Sequence, residues 1–482
     1  MKEYLEKYDL TVGLEVHVQL ATKSKLFAPD RNNFGDTANS NISPITLAHP
    51  GTLPKPNKMA IEYAIKMGLA CQCDIAKKTS FDRKNYFYPD LPKGYQTTQD
   101  NFPIALGGYI KVKSGESMRA INLNRIHIEE DAGKSMHDTE HTGSMLDFNR
   151  AGTPLIEMVT EPEIHSAEEA GNFLTEVRKI VRYLEIGDGN MEEGSLRCDC
   201  NISLAPKGSN KLGKRVEIKN MNSIKNVQRA IEHEVKRQGT LLDNGRTILQ
   251  ETRGFNDNNG ETTSQRSKEE ANDYRYFPCP DLLPIEVTQE WFDKIKSEMP
   301  KLPSDMVKTF TEEYGLTAYD AEFLANSKDM ADFFIAMTQK CNMYKRIANW
   351  TMGPIKNYLN ENNISISDFP ISLDRMVEII TLVDQNKLSF STASTRVFPK
   401  MLKSEKSATD IATELELFQD DNEDELIKII DEVIDSMPDK TKAYKNGKKG
   451  LKGLFMGQVM KKSGGKANPQ IANKLLEEAL SK

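Results

Sequence analysis

Six cysteines in 482 residues are too few for a disulfide scaffold. The chain also lacks any apolar run of about 18 residues, the length a membrane span needs, and its start, MKEYLEKYDL, has no hydrophobic stretch behind its charges. The expectation is a protein of the cytoplasm with no membrane span, no secretory signal and reduced thiols. Several catalytic signatures are missing as well. Gly133-Lys134-Ser135 imitates the end of a phosphate-binding loop, but Ile128 stands where the first glycine is required, and acids precede it. There is no Gly-x-Ser-x-Gly elbow and no cysteine signature of a nucleophilic hydrolase. Cys71-Gln-Cys73 and Cys198-Asp-Cys200 are spaced by one residue, against two to four in structural zinc sites, which disfavours zinc. A net charge of −7 argues against a chain that coats nucleic acid by bulk electrostatics.

What is present describes a soluble globular protein, with 38% hydrophobic and 28% charged residues. The length exceeds one ordinary core, so two to four domains are expected. The reading is an α+β fold, with a mixed domain at 1–292 followed by two small all-α units at 293–404 and 405–482. In the first, Leu10, Val12, Leu14, Val16, Val18 and Leu20 alternate along one strand face, which places Glu15 and His17 together on the other. Ser166 followed by Glu169 reads as a capping box, with apolar residues at helical spacing behind it. Gly254 to Thr263 is polar enough to be a mobile loop. Near the end the charge splits. Asp410 to Asp435 is acidic, whereas Lys440, Lys442, Lys445, Lys448, Lys449, Lys452, Lys461, Lys462 and Lys466 follow with almost no acid. Such a run is either a solvated helical face or a contact for phosphate backbone.

Four clusters in the first domain can carry chemistry. Glu15-Val-His17 offers a carboxylate and an imidazole about 7 Å apart by strand rise. Arg125-Ile-His-Ile-Glu-Glu-Asp131 places Ile126 and Ile128 on one face and ends in three consecutive acids. Glu157 follows a Gly-Thr-Pro turn, and Asp199 lies in a strand-like stretch after Met191-Glu-Glu-Gly. Each cluster alone is either solvated surface or a site for a hard divalent cation; together they favour the cation. Phe81 to Tyr95 sets Arg83, Lys84 and Lys93 among aromatic rings, a mixture that either holds phosphate beside a stacked base or forms a packed hairpin.

Taken together, Gly13-Leu-Glu-Val-His17, Phe81-Asp-Arg-Lys-Asn-Tyr-Phe-Tyr-Pro-Asp90, His127-Ile-Glu-Glu-Asp-Ala-Gly-Lys134, Asn149-Arg-Ala-Gly-Thr-Pro-Leu-Ile-Glu157, Met191-Glu-Glu-Gly-Ser-Leu-Arg-Cys-Asp199 and Asp273-Tyr-Arg-Tyr-Phe-Pro278 resemble the B subunits of the aspartyl/glutamyl-tRNA amidotransferases, the GatB/GatE family. The likeness extends to the tail motifs Gly447-Lys-Lys-Gly450 and Ala467-Asn-Pro-Gln470. It implies a catalytic cradle with a glutamine-synthetase-like fold, a helical domain and a helical tail that contacts tRNA. It implies ATP and Mg²⁺ as cofactors, phosphorylation of the side-chain carboxylate of Glu-tRNA(Gln) or Asp-tRNA(Asn), and displacement of the phosphate by ammonia. Two partners are implied, an amidase A subunit that frees ammonia from glutamine and a small C subunit.

Carried over by position, His17, Glu130, Glu157 and Asp199 match metal-binding residues, with Glu15 beside them, and Lys84 and Tyr86 match residues facing the phosphorylation site. Histidine is an unusual Mg²⁺ ligand, so position 17 equally suits a water contact or Mn²⁺. The motif does not choose between Glu129 and Glu130. Lys445, Lys448, Lys449, Lys452, Lys461 and Lys462 are the tail residues expected to meet tRNA phosphates.

Overall fold

The computed structural model describes residues 1–137, 143–267, 273–418, 423–463, 467 and 469–481. Lys466 and the acids Asp420 and Asp421 lie outside the described residues. The chain divides into two compact units, Met1–Pro303 and Ser304–Lys482.

The first unit is organised by one large sheet. Its labelled strands are β1 (Tyr8–Gln19), β2 (Asp82–Asn85), β3 (Tyr95–Thr98), β4 (Ser117–Glu130), β5 (Pro154–Thr160), β6 (Leu196–Pro206), β7 (Val216–Met221), β8 (Glu251–Asn256) and β9 (Glu261–Ser267). Across the large sheet the order is β9-β8-β7-β6-β1-β5-β4, continued by two short strands at Ala105–Leu106 and Asp74–Ile75. Neighbours are antiparallel except β7 and β8. β2 and β3 form a separate small sheet with Phe277–Pro278.

The alternation read along β1 is what the structure contains, with Leu10, Val12, Leu14, Val16 and Val18 all buried. Burying each such side chain stabilises by about 1.5–3 kcal/mol. A one-residue slip would send Glu15 and His17 into the core instead, so the register is strongly specified. Three helices, α1 (Lys58–Ala70), α2 (Ala167–Tyr183) and α3 (Ile224–Asp243), contribute Ile65, Phe173, Val177, Val227 and Ile231 to the same core. Ser166 caps α2 by accepting from Glu169 N at 3.0 Å. Because the helices meet the apolar face, the opposite face of β1, β4, β5 and β6 is left for polar side chains.

Residues 254–263 are a correction to the expected loop: they belong to the β8–β9 hairpin at the sheet edge. Phe255 packs into the core, and Thr262 Oγ1 donates to the buried Glu234 at 2.7 Å, so a polar segment is held by pairing and two anchors.

The second unit is helical, beginning with helices such as Ala318–Leu324, Lys328–Lys340 and Leu373–Asp384. Its last part, from Leu426 to Leu480, has a core of its own built on Ile430, Val433, Phe455, Val459 and Leu476. Among the described residues no helix is long and apolar enough to cross a membrane.

Candidate active site on the open sheet face

Period-two alternation selects the side chains of the site. In β4, Ile126 and Ile128 enter the core, so His127 and Glu129 face the other way. In β1 the same rule turns Glu15 and His17 outward. Register then brings the strands' polar residues together. Glu157 of β5 is paired with His127 on one side and with His17 on the other, forming a row across three strands. His17 Nε2 lies 3.3 Å from Glu157 Oε2 and 3.4 Å from Glu129 Oε1, and His127 Nε2 lies 3.4 Å from Glu157 Oε2. One ligand atom from each of His17, Glu129 and Glu157 falls within 4.8 Å of the others.

A second group forms one strand over. The β1–β6 register sets Asp199 opposite Glu15, and with Glu217 of β7 these carboxylates again converge within 4.8 Å. A bulge in β7 positions the cation beside them. Cys198 pairs with Met221 while Cys200 pairs with Ile218, so Lys219 and Asn220 together oppose Asp199. Asn220 takes a φ of 67°, which asparagine tolerates better than most residues. Lys219 Nζ is thereby set 2.5 Å from Asp199 and 3.0 Å from Glu217.

Both groups line one cavity of about 910 Å³, together with Lys84, Tyr86, Tyr274 and Tyr276. The Lys84 ammonium stands 4.9 Å from the Tyr274 ring centre and 5.9 Å from that of Tyr86.

Charge shapes the protonation of this floor. Burial pushes the His17 imidazole down, but the hydrogen bond and charge of Glu157, then the charge of Glu129, outweigh it and raise its pKa. His127 behaves alike: burial lowers it, and hydrogen bonds to Glu129 and Glu157 lift it to about 9. Burial opposes the charge of Glu157, yet the two imidazoles hold that carboxyl well below the usual range. Glu15 is raised, first by burial and then by the neighbouring Glu157.

A family model for the GatB/GatE catalytic domain matches residues 10–293, which hold this site and all of the sheet but Tyr8 and Asp9, and one for the GatB domain matches residues 332–480. The chain belongs to the GatB/GatE family. Among its relatives, the B subunit of the aspartyl/glutamyl-tRNA(Asn/Gln) amidotransferase of Thermoanaerobacter pseudethanolicus is 46% identical over 476 residues, 99% of this chain and 100% of that one. The proteins of the same name from Persephonella marina and Chlorobium luteolum are each 46% identical over 98% of this chain and cover 100% and 99% of their own lengths.

In this GatB/GatE chain, Glu15, His17, Lys84, Tyr86, Glu157 and Asp199 all line the one cavity. Glu130 does not share it. One residue beyond Glu129, its side chain points to the other face of β4, where it pairs with Lys93 and accepts from Thr97 N at 2.8 Å. That pair borders a separate cavity of about 260 Å³. In the second unit, Lys445, Lys448 and Lys461 are exposed, Lys449 lies 4.3 Å from the Tyr444 ring centre, and Lys452 and Lys462 are paired with Glu477 and Glu432, each at 2.6 Å.

Sequence reasoning assigns no role to His127, Glu217, Lys219, Tyr274 or Tyr276. A signal exists for His127 and Glu129, since the core-facing Ile126 and Ile128 already fix the parity of β4. None exists for Lys219, whose direction is set by the bulge.

Proposed function

We propose that this chain uses ATP and Mg²⁺ to phosphorylate the side-chain carboxylate of Glu-tRNA(Gln), of Asp-tRNA(Asn) or of both, after which ammonia displaces the phosphate to give the matching Gln-tRNA(Gln) or Asn-tRNA(Asn). It acts in the cytoplasm as the B subunit of a heterotrimer, with an amidase A subunit that releases ammonia from glutamine and a small C subunit. The observation that carries this reading is the convergence of two carboxylate groups and Lys84 in a single cavity.

The donors suit a hard divalent cation, since five of the six ligand side chains are carboxylates. Glu129, His17 and Glu157 would hold one ion. In the other group, Asp199 and Glu217 are already paired with the Lys219 ammonium. When bound, the metal neutralises charge on the phosphate oxygens. The remaining work falls to the chain's own side chains. Lys84 stabilises negative charge as ADP departs from the phosphoryl group and again as phosphate departs from the acyl carbon. Lys219 holds Asp199 and Glu217 apart from the incoming anions. No protein nucleophile is needed, because positioning and electrostatics supply the rate.

The direct test is the heterotrimer with Glu-tRNA(Gln), ATP, Mg²⁺ and glutamine. Gln-tRNA and tRNA-dependent ADP formation are expected; ATP turnover that ignores tRNA would sink the assignment.

The same geometry sets a pH dependence. His17 and His127 carry protons below their raised pKa values, and an imidazolium repels a cation. Mg²⁺ affinity should therefore climb as pH rises from about 6.5 toward 9, with proton release on binding. Metal-free stability runs the other way: the two imidazoles contribute fully below their unfolded pKa, and the contribution is lost as pH rises through their raised folded values, about 9 for His127. Titration calorimetry in paired buffers reads the first, and a flat affinity profile would contradict it.

For the tail, 405–482, which we assign to tRNA contact, Lys445, Lys448 and Lys461 have exposed ammonium groups while Lys452 and Lys462 are already paired. Replacing the first three by alanine should reduce the salt dependence of tRNA binding by about two to three units of slope, a phosphate contact counting for roughly 0.7–0.9. An unchanged slope in filter-binding measurements would remove these lysines from the interface.

A further inference from the structure

Four tyrosines form a continuous edge-to-face row along the wall of the cation cavity. Ring centres are 6.0 Å apart for Tyr88 and Tyr86, 5.9 Å for Tyr86 and Tyr274, and 6.1 Å for Tyr274 and Tyr276. The row is assembled from two segments distant in sequence. β2 pairs with Phe277–Pro278, and the Asn85 side-chain amide donates to Tyr274 O at 3.2 Å and Arg275 O at 2.8 Å.

Arg275 between them has a φ of 44°, a left-handed conformation that a residue other than glycine keeps only where its surroundings impose it. The turn does not serve the arginine, whose side chain is 83% exposed. Its effect is that Tyr274 and Tyr276 both border the cavity. The outer rings are open: Tyr88 is 61% and Tyr276 40% exposed. Tyrosines serving only to fill a core would be covered. Lys84 stands beside the middle of the row and the carboxylate groups lie beyond it in the same cavity.

We propose that this row is a stacking platform for an adenosine base, with the attached phosphates or acyl group directed toward Lys84 and the two carboxylate groups. The platform rests on the amidotransferase function proposed for the site, whose two large substrates, ATP and the 3′ end of tRNA, share adenosine as their common group. Aromatic side chains bind bases through their π faces, and the Lys84 ammonium over the two middle rings suits the sugar-phosphate that follows a base stacked on an outer one.

The test uses the intact heterotrimer carrying Tyr276→Leu, Tyr88→Leu or Tyr276→Phe. Tyr88 is mostly in solvent, so its replacement does not threaten folding. Binding is measured for deacylated tRNA with and without its 3′-terminal adenosine, and separately for ATP. The leucine variants should bind intact tRNA or ATP about 5- to 150-fold more weakly, the range associated with one stacked base, while the phenylalanine variant stays within twofold of wild type. A loss seen for intact tRNA and absent for truncated tRNA assigns the base to the acceptor end. A loss confined to ATP assigns it to the nucleotide. Wild-type binding by both leucine variants in every arm, or an equal loss in the phenylalanine variant, overturns the platform. If the wild-type heterotrimer makes Gln-tRNA from Glu-tRNA(Gln), ATP, Mg²⁺ and glutamine, the proposed function stands without the platform; if it makes none there, the function itself falls.

Discussion

Glu129→Ala in the heterotrimer is expected to lower ATP-dependent amidation by about 100-fold or more and to weaken Mg²⁺ binding in parallel, with glutaminase activity of the partner unaffected. Glu129 Oε1 is 3.4 Å from His17 Nε2, and its other oxygen, Oε2, is 3.8 Å from His127 Nε2. Its removal deletes one of three converging donors and leaves His17 and His127 with Glu157 alone. Loss of a group that merely orients a ligand already costs 10- to 100-fold in affinity or activity, and a donor itself belongs at or above the top of that range. His127→Gln, which removes a residue behind the donors, should fall lower, at about 10-fold. Mn²⁺ binding followed by spin resonance provides a readout independent of turnover. Wild-type metal affinity in Glu129→Ala would place the cation elsewhere.

The adjacent residue should behave differently. Glu130→Gln is expected to destabilise the first unit by about 3 kcal/mol, the lower end for removing one partner of a buried ion pair. Glu130 is 4% exposed and paired with Lys93, whose ammonium would be left without a counter-charge. The lower end applies because Lys93 Nζ keeps Thr97 Oγ1 as an acceptor at 2.9 Å. The midpoint of thermal unfolding measures this. An unchanged midpoint with metal affinity lost would exchange the roles of Glu129 and Glu130.

The contrast between these two neighbours shows how much of the site is legible in sequence. His17 and Glu15 on one face, the cap at Ser166 and the helix behind it follow from local periodicity and hydrogen-bonding preference, and the structure contains them. The choice of Glu129 over Glu130 for the cavity is also available, because Ile126 and Ile128 set the parity of β4, but three consecutive acids mask alternation when read as a cluster. The segment 254–263 departs from its expected loop for a related reason. Its composition is that of a loop, and what makes it strand is a neighbour, β7, and the buried anchor Glu234, neither of which is local.

By itself, then, the sequence determined the α+β class, the faces of individual strands, the family and most of the ionisable residues of the site. These depend on spacing within a few residues, which the chain's own periodicity encodes. Only the tertiary structure decided which of them meet: His127 with Glu157 and His17 through register, Lys219 with Asp199 through a bulge, and Tyr86 with Tyr274 through the pairing of β2 with a distant segment. Register, bulges and distant pairings are set by the summed packing of the whole sheet, so no local window of sequence carries them.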